Sequence, residues 1–496
     1  MEEAGSFTAA ANQGRKKRSN EPTTSRKRTV LIMKAPPLKK VSYEDFLKRK
    51  RFTVQHTGIT DDVEINPVLF DYQQDIVRWA LRRGRSALFE DCGMGKTLQE
   101  LEWAKHVVEH TSGTVIILAP LTVSLQHMRE AKRFGYDANL CASIDDVRPG
   151  INITNYEKLH KFEGLNVDGV VLDESSILKS YDGKTRTQII DMFQRTKFRL
   201  AGTATPAPND YIELGNHAEF LGVMSRTEMM STFFVHDAAN TADWRLKGHA
   251  VDAFWKWICS WAVNIRKPSD LGYDDGKLKL PKLTIHELSV DAEHPFGDYL
   301  FAMPASSLQE RRKARQSSLT ERVEAASEII NNSDDQFIAW CDLNSESDAL
   351  TKSIDGAVEI KGSDSEAHKI EAAEGFLSGK YRVLVSKGSI FGFGMNFQHC
   401  HKMAFVGLSD SWEMYYQCVR RCWRFGQKKN VDAYIITSKL EGAVVENIKR
   451  KERDAMAMAT EMSKYMSDIS KSEINGLTRE TIEYSPTQTI KLPKWL

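Results

Sequence analysis

No stretch of the 496-residue chain holds about 18 consecutive apolar residues, so no segment has the make-up of a membrane-spanning helix. The first residues are charged and polar and lack the apolar core of a secretory signal. Cysteine is scarce: positions 92, 141, 259, 341, 400, 418 and 422 make an odd, scattered set of seven. That fits a reducing cytosol better than a disulfide framework. A dominant charge is missing too, since 68 Lys and Arg against 67 Asp and Glu leave a formal net charge of +1. A polyanion would have to be held by local patches rather than by the field of the whole chain.

The near-neutral total conceals one asymmetry. Residues 1–40 carry ten basic side chains against three glutamates, leaving 58 basic and 64 acidic residues for the rest. This arm lacks helical or strand periodicity and reads as disordered. It is either a solvated tail or start-site extension, with Met33 as a second start, or an electrostatic nucleic-acid arm or localisation signal.

Short apolar runs then alternate with helical stretches. SALFE (86–90), TVIILAP (114–120), GINITNY (150–156), VDGVVLDE (167–174) and FRLAGTA (198–204) read as buried parallel strands. A second set comprises QFIAWCD (336–342), AVEIKG (357–362), YRVLVSK (381–387), KMAFVGL (402–408) and VDAYIIT (431–437). Between strands, TLQELEWAKHVVEH repeats Leu98, Leu101, Ala104 and Val108 at helical spacing. The pattern predicts an α/β protein with two parallel-sheet lobes. The expected divisions are a basic arm (1–40), a first lobe (41–222), a helical, aromatic-rich insertion and inter-lobe crossing (223–330), a second lobe (331–440), and a helix with a tail (441–496).

Three motifs carry chemistry in the first lobe. EDCGMGKTLQ follows a strand and opens a helix, so Gly93, Gly95, Lys96 and Thr97 offer bare backbone N–H groups to a triphosphate. Lys96 would reach the β and γ phosphates and Thr97 would bind Mg²⁺. The generic pattern wants glycine at position 90, where this chain has Glu90. VVLDESS ends an apolar strand in an acidic pair, with Asp173 as Mg²⁺ ligand and Glu174 as general base, the plain alternative being a helix cap. RLAGTATPAPND ends a strand at Thr203 and Thr205, which would either relay the state of the phosphate site or simply turn the chain. Upstream, Gln73 in LFDYQQ has an amide able to read the adenine edge.

QCVRRCWRFGQ (417–427) admits three readings: a metal site, a basic nucleic-acid patch, or a nucleotide-acting motif. Cys400, His401, Cys418 and Cys422 offer four ligands, but Cys400 and His401 are adjacent and no second spaced pair exists, so zinc is not expected. A polyanion patch would leave the spacing of Gln417, Gly426 and Gln427 without a reason.

Together these stretches resemble helicase superfamily 2, in its Swi/Snf-type branch of DNA-dependent ATPases, as in the compact DEAD/DEAH-box-like helicases of phages and bacteria. The resemblance covers residues 66–440. It is carried by LFDYQQ, EDCGMGKTLQ, VVLDESSILKS, RLAGTATPAPNDYIEL and QCVRRCWRFGQ, and more loosely by SKGSIFGFGMNFQ with Gly392, Gly394 and Asn396. It accounts for Glu90, because the family has an acidic residue there. It implies two tandem RecA-like lobes with ATP and Mg²⁺ in the cleft between them. Gln73, Gln417, Gly392 and Gly394 would then bind nucleotide and Thr203, Thr205 and Gln427 would couple the lobes. It makes Arg424 the arginine finger and Arg421 a second phosphate contact on the same helix face, with Arg420 off that face. Ser175 and Ser176 depart from the family's Ala/Gly-His.

Duplex DNA is the implied partner, gripped by phosphate contacts around 120–130, 154–161 and 361–369, with little sequence specificity. A nuclease or another replication or repair protein would be a second partner. The implied setting is phage or bacterial DNA replication, recombination or repair, in the cytosol, although the basic arm by itself would suit a nuclear address. A strand-separating DNA or RNA helicase is the alternative within enzymes. A nucleotide-gated DNA-binding scaffold with little turnover, kept open by Ser175 and Ser176, is the alternative outside them.

Overall fold

Strands rich in Val, Ile and Leu without polar alternation need cover on both faces. The computed structural model describes residues 57–236, 244–276, 278–291, 315–391 and 396–474. They form two parallel sheets. The first holds seven strands in the spatial order Ala138–Leu140, Gly150–Asn155, Thr114–Ala119, Gly169–Asp173, Phe198–Gly202, Arg85–Glu90 and Ala262–Ile265. The second holds six, in the order Leu283–Val290, Val431–Ser438, Lys402–Val406, Phe337–Cys341, Val383–Lys387 and Ala357–Ile360. All their pairings are parallel. Each sheet has an apolar cluster on either face. In the first, Ile116 and Val170 point into one cluster and Ile117 and Val171 into the other, all fully buried. Each such side chain contributes roughly 1.5–3 kcal/mol of apolar transfer.

The segment read as a helical insertion does hold helices, Arg226–Phe233, Val251–Cys259 and Leu319–Asn331. It also supplies an edge strand to each sheet, Ala262–Ile265 beside Arg85–Glu90 and Leu283–Val290 beside Val431–Ser438. The first of these strands is four residues long and follows an aromatic helix almost without a break, which hides it in the pattern. The second alternates because only every other side chain is covered.

The helix of the tail, Gly442–Ile474, straps the lobes together. Val444 and Ile448 belong to the second lobe's core, and Met458 and Met462 to the first's. The Tyr465 hydroxyl then donates to Asp252. The basic arm, Gly392, Gly394 and the end of the tail lie outside the described residues. Among those residues no helix is long and apolar enough to cross a membrane.

Sheet order positions the site. Strands Gly169–Asp173, Phe198–Gly202 and Arg85–Glu90 are immediate neighbours, with Gly202 in register with both Asp173 and Leu88. The loops after them open side by side at the carboxyl edge, where ligand crevices of α/β sheets form.

Candidate active site

The phosphate loop turns through Gly93 (φ 89°) and Gly95 (φ 82°), in the left-handed region that glycine reaches without strain. A Cβ on Gly95 would lie 2.3 Å from Gln73 Nε2. Gln73 braces this loop: its Nε2 donates to Met94 O (2.7 Å) and its Oε1 accepts from Phe70 N (2.9 Å). Lys96 Nζ donates to Glu90 O (2.8 Å), and Thr97 sits half-buried in the first turn of helix Lys96–Thr111. The Glu90 carboxylate is buried against Gln99 Nε2 (2.7 Å), and burial raises its pKa to about 7.

The next strand ends in the acidic pair. Asp173 Oδ1 accepts from Glu174 N (2.9 Å), while Tyr156 donates to the Asp173 carbonyl (2.7 Å). Glu174 has φ 51°, a left-handed conformation that costs a non-glycine residue about 1–3 kcal/mol. Its Oε2 is buried without a hydrogen-bond partner among the described residues. Burial and then Glu100 push the Asp173 carboxyl above its ordinary range, and burial and then Asp173 do the same to Glu174, with Lys96 opposing both. Ser175 Oγ lies 3.1 Å from His217 Nε2, so the acidic box stays tied to the helix that follows the third motif despite its Ser-Ser departure.

From the third motif, Thr203 N donates to Leu88 O (3.0 Å) and Thr203 Oγ1 accepts from Thr205 N (3.1 Å). Thr205 Oγ1 crosses to the second lobe and donates to Glu413 Oε1 (3.1 Å), a buried carboxylate that Lys179 also holds. Gln427 does not cross; its Nε2 donates to Cys400 O (2.8 Å) within its own lobe.

The arginines of the sixth motif depart from their expected arrangement. The helix Trp412–Cys422 stops before Arg424, where Trp423 leaves helical geometry and its Nε1 donates to Pro281 O (2.8 Å). Arg421 and Arg424 therefore do not share a helix face. Residues 417, 420 and 421 do, by their spacing of three and four. Arg420, expected off that face, crosses to the phosphate loop instead: its guanidinium donates to Cys92 O (2.6 Å), pairs with Asp91 Oδ2 (3.0 Å) and has no exposed surface. Tyr416 bonds the same aspartate. Arg421 donates to Gln417 O (3.1 Å) and Gln417 Oε1 (2.8 Å), and its charge acts on Glu174. The Nε of Arg424 is buried without a partner among the described residues, and burial, with the Arg421 charge beside it, lowers its pKa to about 10. Cys418 and Cys422 pack in the second lobe's apolar core.

The motifs assign no role to Asp91, Tyr416, Glu413 and Lys179, nor to Glu100 and His127. Among the described residues, the one group of His, Cys, Asp and Glu side chains with converging ligand atoms is Glu100, His127 and Asp173.

Beside the acidic box lies a cavity of about 920 Å³ between the lobes. Leu121, Leu125, Gln126 and Arg129 line it, as do Tyr156 and Glu157, Lys369 and Ile370, and Glu174 itself. Each of the three segments expected to grip DNA thus reaches one space.

The chain matches the SNF2-related domain over residues 72–235 and the helicase conserved C-terminal domain over residues 321–426. Comparison with curated proteins gives no match. Among solved structures it is similar to the Sulfolobus solfataricus SWI2/SNF2 ATPase core in complex with dsDNA, at 16% identity and a TM-score of 0.40, covering 86% of this chain and 99% of that one. The first domain match spans the phosphate loop, the acidic box and the third motif, and the second reaches the sixth. With two parallel-sheet lobes carrying them in this order, the chain is an ATP-hydrolysing helicase-like enzyme of superfamily 2 and belongs to its Swi/Snf-type branch.

Proposed function

We propose that this enzyme hydrolyses ATP between its lobes and uses the cycle to move along duplex DNA held mainly by its phosphates. The observation that carries the ATP site is unsatisfied charge of both signs around one bare-backbone loop: a buried Glu174 oxygen and a buried Arg424 Nε, each without a partner among the described residues. A triphosphate and its attacking water would satisfy both. Lys96 would hold the β and γ phosphates and Gln73 the adenine edge. The oxygen donors Thr97 and Asp173 fit a hard cation and would hold Mg²⁺, which when bound neutralises phosphate charge. Glu174 would take the proton of the attacking water, and Arg424 with Arg421 would stabilise the charge that develops as the γ-phosphoryl group departs. Thr205, through Glu413, would report that change to the second lobe, while Thr203 and Gln427 would hold their own lobes in register. Gly392 and Gly394 enter this reading through their motif alone.

For DNA, the support is the cavity that all three expected segments line, with Arg129 and Lys369 for phosphates. Phosphate release measured without nucleic acid and with duplex DNA, single-stranded DNA or RNA tests the reading. Duplex should stimulate most, by about tenfold or more, and the effect should fall steeply with salt. Equal rates in all four conditions would overturn it. Triplex displacement on a blunt duplex, against strand displacement on a tailed one, separates translocation from strand separation.

A further inference from the structure

Behind the acidic box, His127 lies between two carboxylates. Its Nε2 is 3.1 Å from Glu100 Oε2 and 3.6 Å from Asp173 Oδ2, and its Nδ1 is 3.1 Å from the Val123 carbonyl. His127 and Glu100 have no exposed surface and Asp173 almost none. Both ring nitrogens thus face oxygen atoms, and the ring bridges the Val123 backbone to the two carboxylates.

The trio joins three elements of the ATP site. Glu100 comes from the helix of the phosphate loop and Asp173 from the acidic box. The second Glu100 oxygen lies where a Cβ on Gly202 would come within 2.3 Å, at the end of the strand that leads to Thr203. His127 itself rides on helix Leu121–Phe134, which also presents Leu121, Leu125, Gln126 and Arg129 to the cavity between the lobes. The helix wall that a ligand in the cavity would touch therefore also carries the imidazole facing Asp173.

We propose that His127 is a positioning residue that couples occupancy of the DNA cleft to Asp173, through a shift of helix Leu121–Phe134. This rests on the reading of the cavity as the duplex site and of Asp173 as part of the ATP site. The test is the factor by which a non-hydrolysable ATP analogue with Mg²⁺ changes affinity for a fluorescently labelled blunt duplex, and the reciprocal effect of duplex on analogue binding; linkage requires the two factors to be equal. In the wild type this factor should fall in the usual range of about 5–150. His127→Gln should bring it within about twofold of one while each ligand alone binds within about threefold of wild type, since neither touches His127. Should the two bared carboxylates prevent folding, the double variant Glu100→Gln/His127→Gln removes the charge imbalance and should show the same loss. A coupling factor that survives in either variant, with only thermal stability lowered, overturns the proposal and leaves the functional reading standing. Wild-type protein that binds no duplex overturns both.

Discussion

The two lobes contribute to the candidate site in different ways. In the first, Lys96, Thr97, Asp173, Glu174 and Thr203 stand at the ends of three adjacent strands, where the sheet register fixes the backbone. In the second, the contribution comes from long side chains on one helix and the turn after it, with Arg420 and Arg421 inside the helix and Arg424 beyond its end. One lobe thus supplies a cradle fixed by its sheet and the other a positive charge carried on long side chains. Such a division suits an enzyme whose hydrolysis step must depend on how the lobes are set against each other.

The largest effects should expose that division. Glu174→Gln removes the proposed base and should lower phosphate release by about 10²–10⁴-fold, with nucleotide still bound. Arg424→Ala should lower it by about 10²–10³-fold, again with ATP and DNA affinity close to wild type. Lys96→Ala, on the cradle side, should lose ATP binding as well. Equilibrium binding of a fluorescent ATP analogue alongside turnover reads the difference. If Arg424→Ala weakens binding as much as Lys96→Ala does, the contrast between the cradle and the opposing lobe's charge fails.

The next effect concerns what joins the lobes. Arg420 and Asp91 form a buried ion pair across the cleft, with Tyr416 on the same carboxylate. Removing one partner of such a pair costs about 3–5 kcal/mol, because the other is left charged and dry. Arg420→Met should lower the denaturation midpoint accordingly, and Arg420→Met/Asp91→Asn should recover most of the loss. If the double variant is no better than the single, the pair does not hold the lobes, and the packing of Arg420 against the Trp423 ring (4.9 Å) accounts for its burial instead.

How much of this was legible followed the same division. Most strands of both sheets show in the sequence as short, mainly apolar runs, and the phosphate loop and acidic pair lie directly at the ends of such runs, so strand position and chemistry coincide. The edge strands Ala262–Ile265 and Leu283–Val290 gave no such signal, the one being too short and the other half-covered. In the second lobe, motif spacing suggested that Arg421 and Arg424 act from one helix face. Spacing alone does not say where a helix stops, and this one ends at Cys422, two residues before Arg424. Had the helix been known to end at Cys422, the offsets of three and four from Gln417 would have pointed to Arg420. Glu100 and His127 were beyond reach for another reason. Each sits on an ordinary amphipathic helix 27 residues from the other, and only the order of the strands brings both to Asp173.

The smallest effect tests the cysteines that punctuate the arginines. Cys418 is almost fully buried, and its Sγ lies where a Cβ on Gly388 would come within 2.9 Å, so its thiol fills the space that this glycine leaves. Cys418→Ala removes one heavy atom from that contact and should cost about 1 kcal/mol, with hydrolysis unchanged within twofold. A structural zinc ligand would behave differently, because metal binding in such sites is worth on the order of 10 kcal/mol to folding and is abolished by a chelator. Denaturation of wild type and Cys418→Ala, each with and without chelator, separates the two. Equal midpoints with and without chelator, together with a small shift for the variant, would mean that the cysteines keep the helix seated on its own lobe while its arginines reach across. A large chelator effect would mean that the second lobe's charge is held in place by a metal rather than by packing.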